Sequence, residues 1–229
     1  MRIAQYKDGF RYTSDTMFLW DFALSFVKKG LLLEVGGGSG VLGLLLARDR
    51  GVELTIVEKQ EKMAKLCADN ARANGITATV ENVDFLDFDG GHFDYIVSNP
   101  PFYPSRVQKS ENDSMLASRY AEELPLDVFL QKSKKLLKPH GEIIFCYDAR
   151  ELQAVINESA KLKGAALTHI RFVHAKGDKS AKLALFRIKN SSRAHLEISP
   201  PLIVMDGSGY TDEAKSVFAA AACDSVDIE

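Results

Sequence analysis

The run Leu31-Leu32-Leu33-Glu34-Val35 is followed by Gly36-Gly37-Gly38-Ser39-Gly40 and then by the apolar stretch Val41–Ala47. It reads as a short buried strand, a glycine turn and a helix, the first half of a nucleotide-binding βαβ unit. Glycines in such a turn let the backbone come close to a ligand at the helix N-terminus. The spacing Gly36-x-Gly38-x-Gly40 is one residue shorter than the fingerprint of dinucleotide sites, where a pyrophosphate must be seated, and so disfavours NAD or FAD. The shorter form suits S-adenosylmethionine (SAM). The next strand, Glu53–Val57, ends at Glu58, about 20 residues past the glycines, where an acidic side chain can accept from both ribose hydroxyls.

The remaining elements follow in order. Ser14 or Asp15 can cap a helix over Thr16–Val27. Gln60–Ala73 reads as a helix that Asn74-Gly75 ends in the left-handed manner, and Ala78–Val83 as a strand delivering Asp84 and Phe85. In a SAM reading Asp84 accepts from the cofactor's adenine amine and Phe85 lies on its ring. The alternative for Asp84 is a turn-forming role. Phe93–Ser98 is an apolar strand, Tyr103–Glu122 a long polar loop, and Pro125–Lys138 an amphipathic helix. Strand Glu142–Tyr147, helix Ala149–Lys161 and strands Leu167–Val173 and Lys182–Ile188 complete the pattern, the last two joined by a turn at Lys176–Ser180. Strands alternating with helices before a terminal hairpin predict an α/β, Rossmann-like fold: a seven-stranded, mostly parallel sheet with an antiparallel edge hairpin and helices on both faces. Residues 1–229 are expected to form one domain, with an extension over 1–30, a core over 31–190 and a tail over 191–229.

Composition narrows the setting. With 46% hydrophobic and 26% charged residues this is an ordinary globular chain, and a formal net charge of −2 argues against a globally basic nucleic-acid binder while allowing local patches. Cys67, Cys146 and Cys223 have neither metal nor disulfide spacing, which fits a reducing compartment; no metal is expected. The start lacks the apolar core of a signal peptide, and no apolar run approaches a membrane span. A cytoplasmic protein without membrane contact is expected, taken as a monomer.

The chemistry is expected at Asn99-Pro100-Pro101-Phe102, where the strand Phe93–Ser98 ends. Two prolines supply no N–H and hold the segment extended, so their carbonyls and the Asn99 side chain are available as acceptors beside an aromatic ring. That pairing suits a planar group bearing an NH2, such as adenine N6, guanine N2 or a side-chain amide. A strand-to-loop turn with a buried Phe is the plainer alternative.

Together, Glu34-x-Gly36-x-Gly38-x-Gly40, Glu58, Asp84 and Asn99-Pro100-Pro101-Phe102 resemble the Rossmann-like SAM-dependent methyltransferases that act on planar nitrogens. Three further stretches are similar to the bacterial tRNA1(Val) adenine-37 N6-methyltransferase family: Thr13–Leu19, Ser118-Arg119-Tyr120, and Pro200–Val204 with Gly209-Tyr210-Thr211. The resemblance implies SAM as cofactor, held by Glu34, Gly36, Gly38, Gly40, Glu58, Asp84, Phe85 and Asp15. It also implies tRNA as partner, with Asn99, Pro100, Pro101 and Phe102 as the catalytic group. Cations that could hold RNA are Lys7, Arg11, Arg119, Lys176, Lys179 and Lys182, each also readable as a plain surface charge. Phe102 stands where many adenine enzymes and the release-factor glutamine enzymes have Tyr, while Phe also occurs in guanine-N2 enzymes, so guanine N2 is an alternative target; a protein glutamine amide, which offers the same NH2 geometry, is a second. A SAM-binding partner subunit without catalysis is another.

Overall fold

The computed structural model describes residues 1–7, 11–100 and 124–229. Strand β1 (Arg2–Tyr6) leads to helix α1 (Ser14–Leu24), followed by β2 (Leu31–Val35), α2 (Val41–Arg50), β3 (Glu53–Val57), α3 (Glu61–Ala73), β4 (Ala78–Glu81) and β5 (Phe93–Ser98). Then come α4 (Leu126–Leu136), β6 (Leu137–Asp148), a 3-10 turn (Ala149–Glu151), α5 (Leu152–Ala160), β7 (Ala165–Lys176) and β8 (Ala181–Asn190). The C-terminal stretch adds β9 (Glu197–Ile198), β10 (Leu202–Asp206), β11 (Gly209–Tyr210), α6 (Asp212–Ala221) and β12 (Asp224–Ile228).

Strands β2, β3 and β5 have the bounds their apolar runs predict. Helix α1 begins earlier than predicted because Thr13, rather than Ser14 or Asp15, is its cap: the Thr13 side chain accepts from the Asp15 N–H. The Pro139-His140-Gly141 turn is drawn into β6 as a bulge, the register against β5 jumping from Phe93 opposite Leu137 to Tyr95 opposite Glu142.

The main sheet runs in the order β11-β10-β7-β8-β6-β5-β2-β3-β4, with β9 beside β7. From β4 to β7 these are the seven expected strands, parallel except for β8, which is antiparallel to both β6 and β7. The strand count needs correcting, since residues beyond 190 carry the sheet to ten strands. The stretch expected as a tail instead supplies β10, parallel to β7, and β12, parallel to β1 in a separate two-stranded ribbon.

Alternation along the strands divides the core. Leu32, Val97, Ile144 and Cys146 face one cluster with α1, α2 and α6, while Leu33, Val35, Ile96, Ile143 and Phe145 face another with α4 and α5. The chain builds β3 and β4 on one side of β2, then crosses back to lay β5 on the other. The crevice beyond the carboxyl ends of β2 and β5 is therefore the place where an open α/β sheet binds ligands. The Ser98 hydroxyl, buried, donates to the Val35 carbonyl (2.8 Å) and ties the two strand ends together.

Candidate active site

On the β2 side the crevice is walled by the glycine turn. Gly36, Gly38 and Gly40 have φ of 71°, 55° and 76°, a region that side chains disfavour. Gly37, which the spacing pattern passes over, is required by packing, because a Cβ there would lie 2.3 Å from Ile56 Cγ2. The turn is pinned from below: Gly36 N–H donates to the Val57 carbonyl (2.9 Å), the Cys67 thiol donates to the Gly38 carbonyl (3.1 Å), and Asn70 Nδ2 donates to the Ser39 carbonyl (2.9 Å). Burial pushes the Cys67 thiol well up, so it stays a donor. Among the described residues a Cβ at Gly36 would meet nothing within 4 Å, and the buried Ser39 hydroxyl finds no hydrogen-bond partner. An open glycine face next to an unsatisfied hydroxyl fits a polar ligand such as SAM.

Glu58, buried at the tip of β3, accepts from Gly38 N–H through Oε2 and from Gln60 N–H through Oε1, both at 2.9 Å. Each oxygen has a second lone pair, which leaves acceptor capacity for a diol. The same carboxylate therefore shapes the turn and can bind what the turn holds.

Glu34 is placed differently from its expected role. Its position between Leu33 and Val35 turns the side chain toward α2, where Oε2 accepts from Gly43 N–H at 3.0 Å. Gly40, the N-cap of α2, has no side chain to offer, and Glu34 supplies the missing cap from the strand beneath. Its cofactor role is thus indirect, through the helix start. Burial raises the Glu34 carboxyl to about 8, with Glu58 adding to the rise and the Gly43 bond opposing it. A carboxyl raised in the folded state contributes stability below its unfolded value of 4.5 that is lost as pH climbs through about 8. Thermal melts should accordingly show wild type losing ground to Glu34→Gln between those pH values and holding level above them. A pH-independent difference would count against the raised value.

Asp84 and Phe85 follow β4. Asp84 Oδ1 accepts from Leu86 N–H at 2.9 Å, the turn-forming role, while Oδ2 lies 3.9 Å from Lys59 Nζ. Phe85 is a core side chain, 5% exposed, with its ring 6.1 Å from that of Phe129. Only its small remaining surface is left to meet the adenine ring.

Across the crevice, Asn99 is held by two side chains that sequence reading missed. Asn99 Nδ2 donates to Thr16 Oγ1 (2.7 Å) on the first turn of α1, and Asn99 Oδ1 accepts from the Cys146 thiol (2.9 Å) on β6. Asp15 shares this corner, close enough to Cys146 to help raise its thiol, although burial is the larger cause. Pro100 is half-buried beside Asn99. Pro101, Phe102, Arg119 and the Tyr103–Glu122 loop lie outside the described residues.

The cations divide. Arg11 pairs with Asp227 (2.7 Å) on the terminal ribbon and donates to Ser225 Oγ and the Tyr6 carbonyl. Lys7 is exposed where its own N–H donates to Ile228 O. Lys176, Lys179 and Lys182 are exposed around the β7–β8 turn. Because β7 runs in the same direction as β6 and β5, that turn lies at the sheet edge where Asn99 sits. Among the described residues no His, Cys, Asp and Glu cluster could hold a metal, and no helix is long and apolar enough to cross a membrane.

The family model of the methyltransferase small domain matches residues 16–159. A tRNA1(Val) (adenine(37)-N6)-methyltransferase from Aliivibrio fischeri is 30% identical over 190 residues, spanning 80% of this chain and 78% of the relative. One of the same description from Flavobacterium johnsoniae is 23% identical over 92% of each chain. A solved structure from Agrobacterium tumefaciens, described as a predicted O-methyltransferase, superposes with a TM-score of 0.68 at 16% identity, covering 93% of this chain and all of that one. Its likeness carries the fold alone. The glycine turn, Glu58, Asn99-Pro100 and both residues that hold Asn99 fall within the matched stretch, and the chain belongs to the methyltransferase small domain family.

Proposed function

We propose that this protein methylates the exocyclic N6 of an adenine in tRNA, at position 37 of tRNA1(Val), using SAM, and that it does so in the cytoplasm as one domain built from the whole chain. The observation that carries the reading is the Asn99 amide at the end of β5, its NH2 donating to Thr16 and its oxygen accepting from the Cys146 thiol, with one lone pair of that oxygen left over, across the crevice from the glycine turn. The named relatives supply the adenine and the tRNA.

SAM supplies an electrophilic methyl group. Gly36, Gly38, Gly40 and Glu58 would hold it, with Asp15 and Asp84 at the margins. An adenine amine is a poor nucleophile because its lone pair is delocalised into the ring. Accepting its two hydrogens at Asn99 Oδ1 and the Pro100 carbonyl favours a pyramidal nitrogen whose lone pair is free to attack. Both bonds strengthen as positive charge develops on that nitrogen. The methyl–sulfur bond breaks as the methyl–nitrogen bond forms, the electron pair leaves with sulfur as a neutral thioether, and the nitrogen then gives up one proton to solvent. Phe102 would stack on the base, and fixing it in line with the methyl group contributes on the order of several kcal/mol. Turning the base out of its stack costs a few kcal/mol, which contacts elsewhere on the RNA must offset.

Lys176, Lys179 and Lys182 suit that task by their position. Reversing all three charges should weaken tRNA binding, leave SAM binding unchanged and flatten the salt dependence by about 0.7 in log–log slope for each phosphate that is no longer neutralised. Equal tRNA affinity across a salt titration would return the turn to plain surface. Offering the purified protein tRNA and a release-factor protein side by side, with methyl-labelled SAM, tests the substrate class. Label in the RNA supports the proposal, label in the protein moves the target to a glutamine amide, and no label favours a binding subunit.

A further inference from the structure

We propose that Thr16 and Cys146 are positioning residues for the methyl transfer: together they hold the Asn99 amide in the one orientation that presents its carbonyl oxygen to the incoming amine. The inference rests on the reading of Asn99 as the amine's acceptor.

A primary amide has nearly the same shape with its oxygen and nitrogen exchanged, so a chain that needs the oxygen in one place must hold it there chemically. In the wrong orientation the Asn99 NH2 would face the adenine NH2, donor against donor. Thr16 is 2% exposed and Cys146 1% exposed, so neither contact is shared with bulk water. Cys146 decides the orientation. Burial pushes its thiol well above the ordinary range, so it remains S–H, a donor whose sulfur is a poor acceptor. It therefore favours the amide oxygen, at 2.9 Å, over the amide nitrogen. The Thr16 hydroxyl can donate or accept, and takes the Nδ2 hydrogen at 2.7 Å. A carbonyl oxygen has two lone pairs, so the thiol fills one and leaves the other for the substrate. The two groups come from different elements: Thr16 from the first turn of α1 and Cys146 from β6, the strand paired with β5. Rotation of the amide would set its NH2 against the Cys146 S–H, donor against donor, while Thr16 could still donate to the displaced oxygen, so the thiol is what selects the orientation.

The test compares Thr16→Val, Thr16→Ser, Cys146→Ala, Cys146→Ser and Asn99→Ala in single-turnover transfer to tRNA, each with SAM affinity by calorimetry and a thermal melt. Thr16→Val should slow transfer about tenfold, the worth of one hydrogen bond that orients a reacting group. Thr16→Ser should recover most of the rate. Cys146→Ala should fall and Cys146→Ser recover in the same manner, with SAM affinity unchanged throughout. In the Asn99→Ala background Thr16→Val should cost nothing further, since the group it positions is gone. A purely structural Thr16 would shift the melt equally in both backgrounds and leave the rate of folded protein alone. Should Thr16→Val not fold, Thr16→Ala removes the same oxygen. If Thr16→Val and Cys146→Ala transfer within about twofold of wild type while Asn99→Ala is slow, the positioning inference is wrong and the functional reading stands. If Asn99→Ala itself transfers at the wild-type rate, both fall.

Discussion

Asn99→Ala should keep its SAM affinity and lose methyl transfer by about 100-fold or more in a single turnover at saturating SAM and RNA, as when a hydrogen bond made in the transition state is removed. Were the amide only a turn-stabilising group, the variant would lose about 1 kcal/mol of stability and activity would fall only in step with folded protein. The structure sharpens the comparison with Asn99→Asp. A carboxylate keeps an acceptor at the crevice but has no NH2 for Thr16, and Thr16 can answer by rotating its hydroxyl to donate instead. The Cys146 thiol still donates to the other oxygen. Asn99→Asp should therefore retain part of the activity that Asn99→Ala loses. An alanine variant within about threefold of wild type removes Asn99 from the mechanism.

Glu58→Ala should weaken SAM binding by roughly 1–3 kcal/mol, the usual cost of losing a charged hydrogen-bond partner. A second effect follows from geometry. The same carboxylate accepts from Gly38 and Gln60 N–H, so its removal strips a buried acceptor from two backbone donors and loosens the turn, lowering stability by a further 1–3 kcal/mol or so. Glu58→Gln does not cleanly separate the two, because one backbone N–H would then face an amide NH2. Calorimetry with SAM and a melt of the ligand-free protein read the effects independently. Lost stability with unchanged SAM affinity would confine Glu58 to shaping the turn.

What could be read from residue order was whatever is local. Strands β2, β3 and β5 are short, largely apolar runs, and their ends, at Gly36, Glu58 and Asn99, are set by neighbours one or two positions away. The glycine spacing is visible as a string of letters, yet Gly37 needs Ile56 to show why it too must be glycine. Glu34 was misplaced because its partner is the backbone of α2, a donor that no residue type announces. The Arg11 ion pair was illegible because Asp227 lies at the far end of the chain. The pair that holds Asn99 was illegible for the same reason, Thr16 and Cys146 standing 83 and 47 residues away in sequence. The C-terminal strands were missed because β10 and β12 are fixed by pairing with β7 and β1, which lie far away in sequence.

The proposed substrate is tested most directly by incubating the purified protein with methyl-labelled SAM and tRNA from a strain lacking it, then resolving the nucleosides by mass spectrometry. The account predicts label in N6-methyladenosine, arriving about 100-fold more slowly or worse when Asn99→Ala replaces the wild type. Label in N2-methylguanosine, or tRNA left unlabelled by an enzyme that binds SAM, would contradict it.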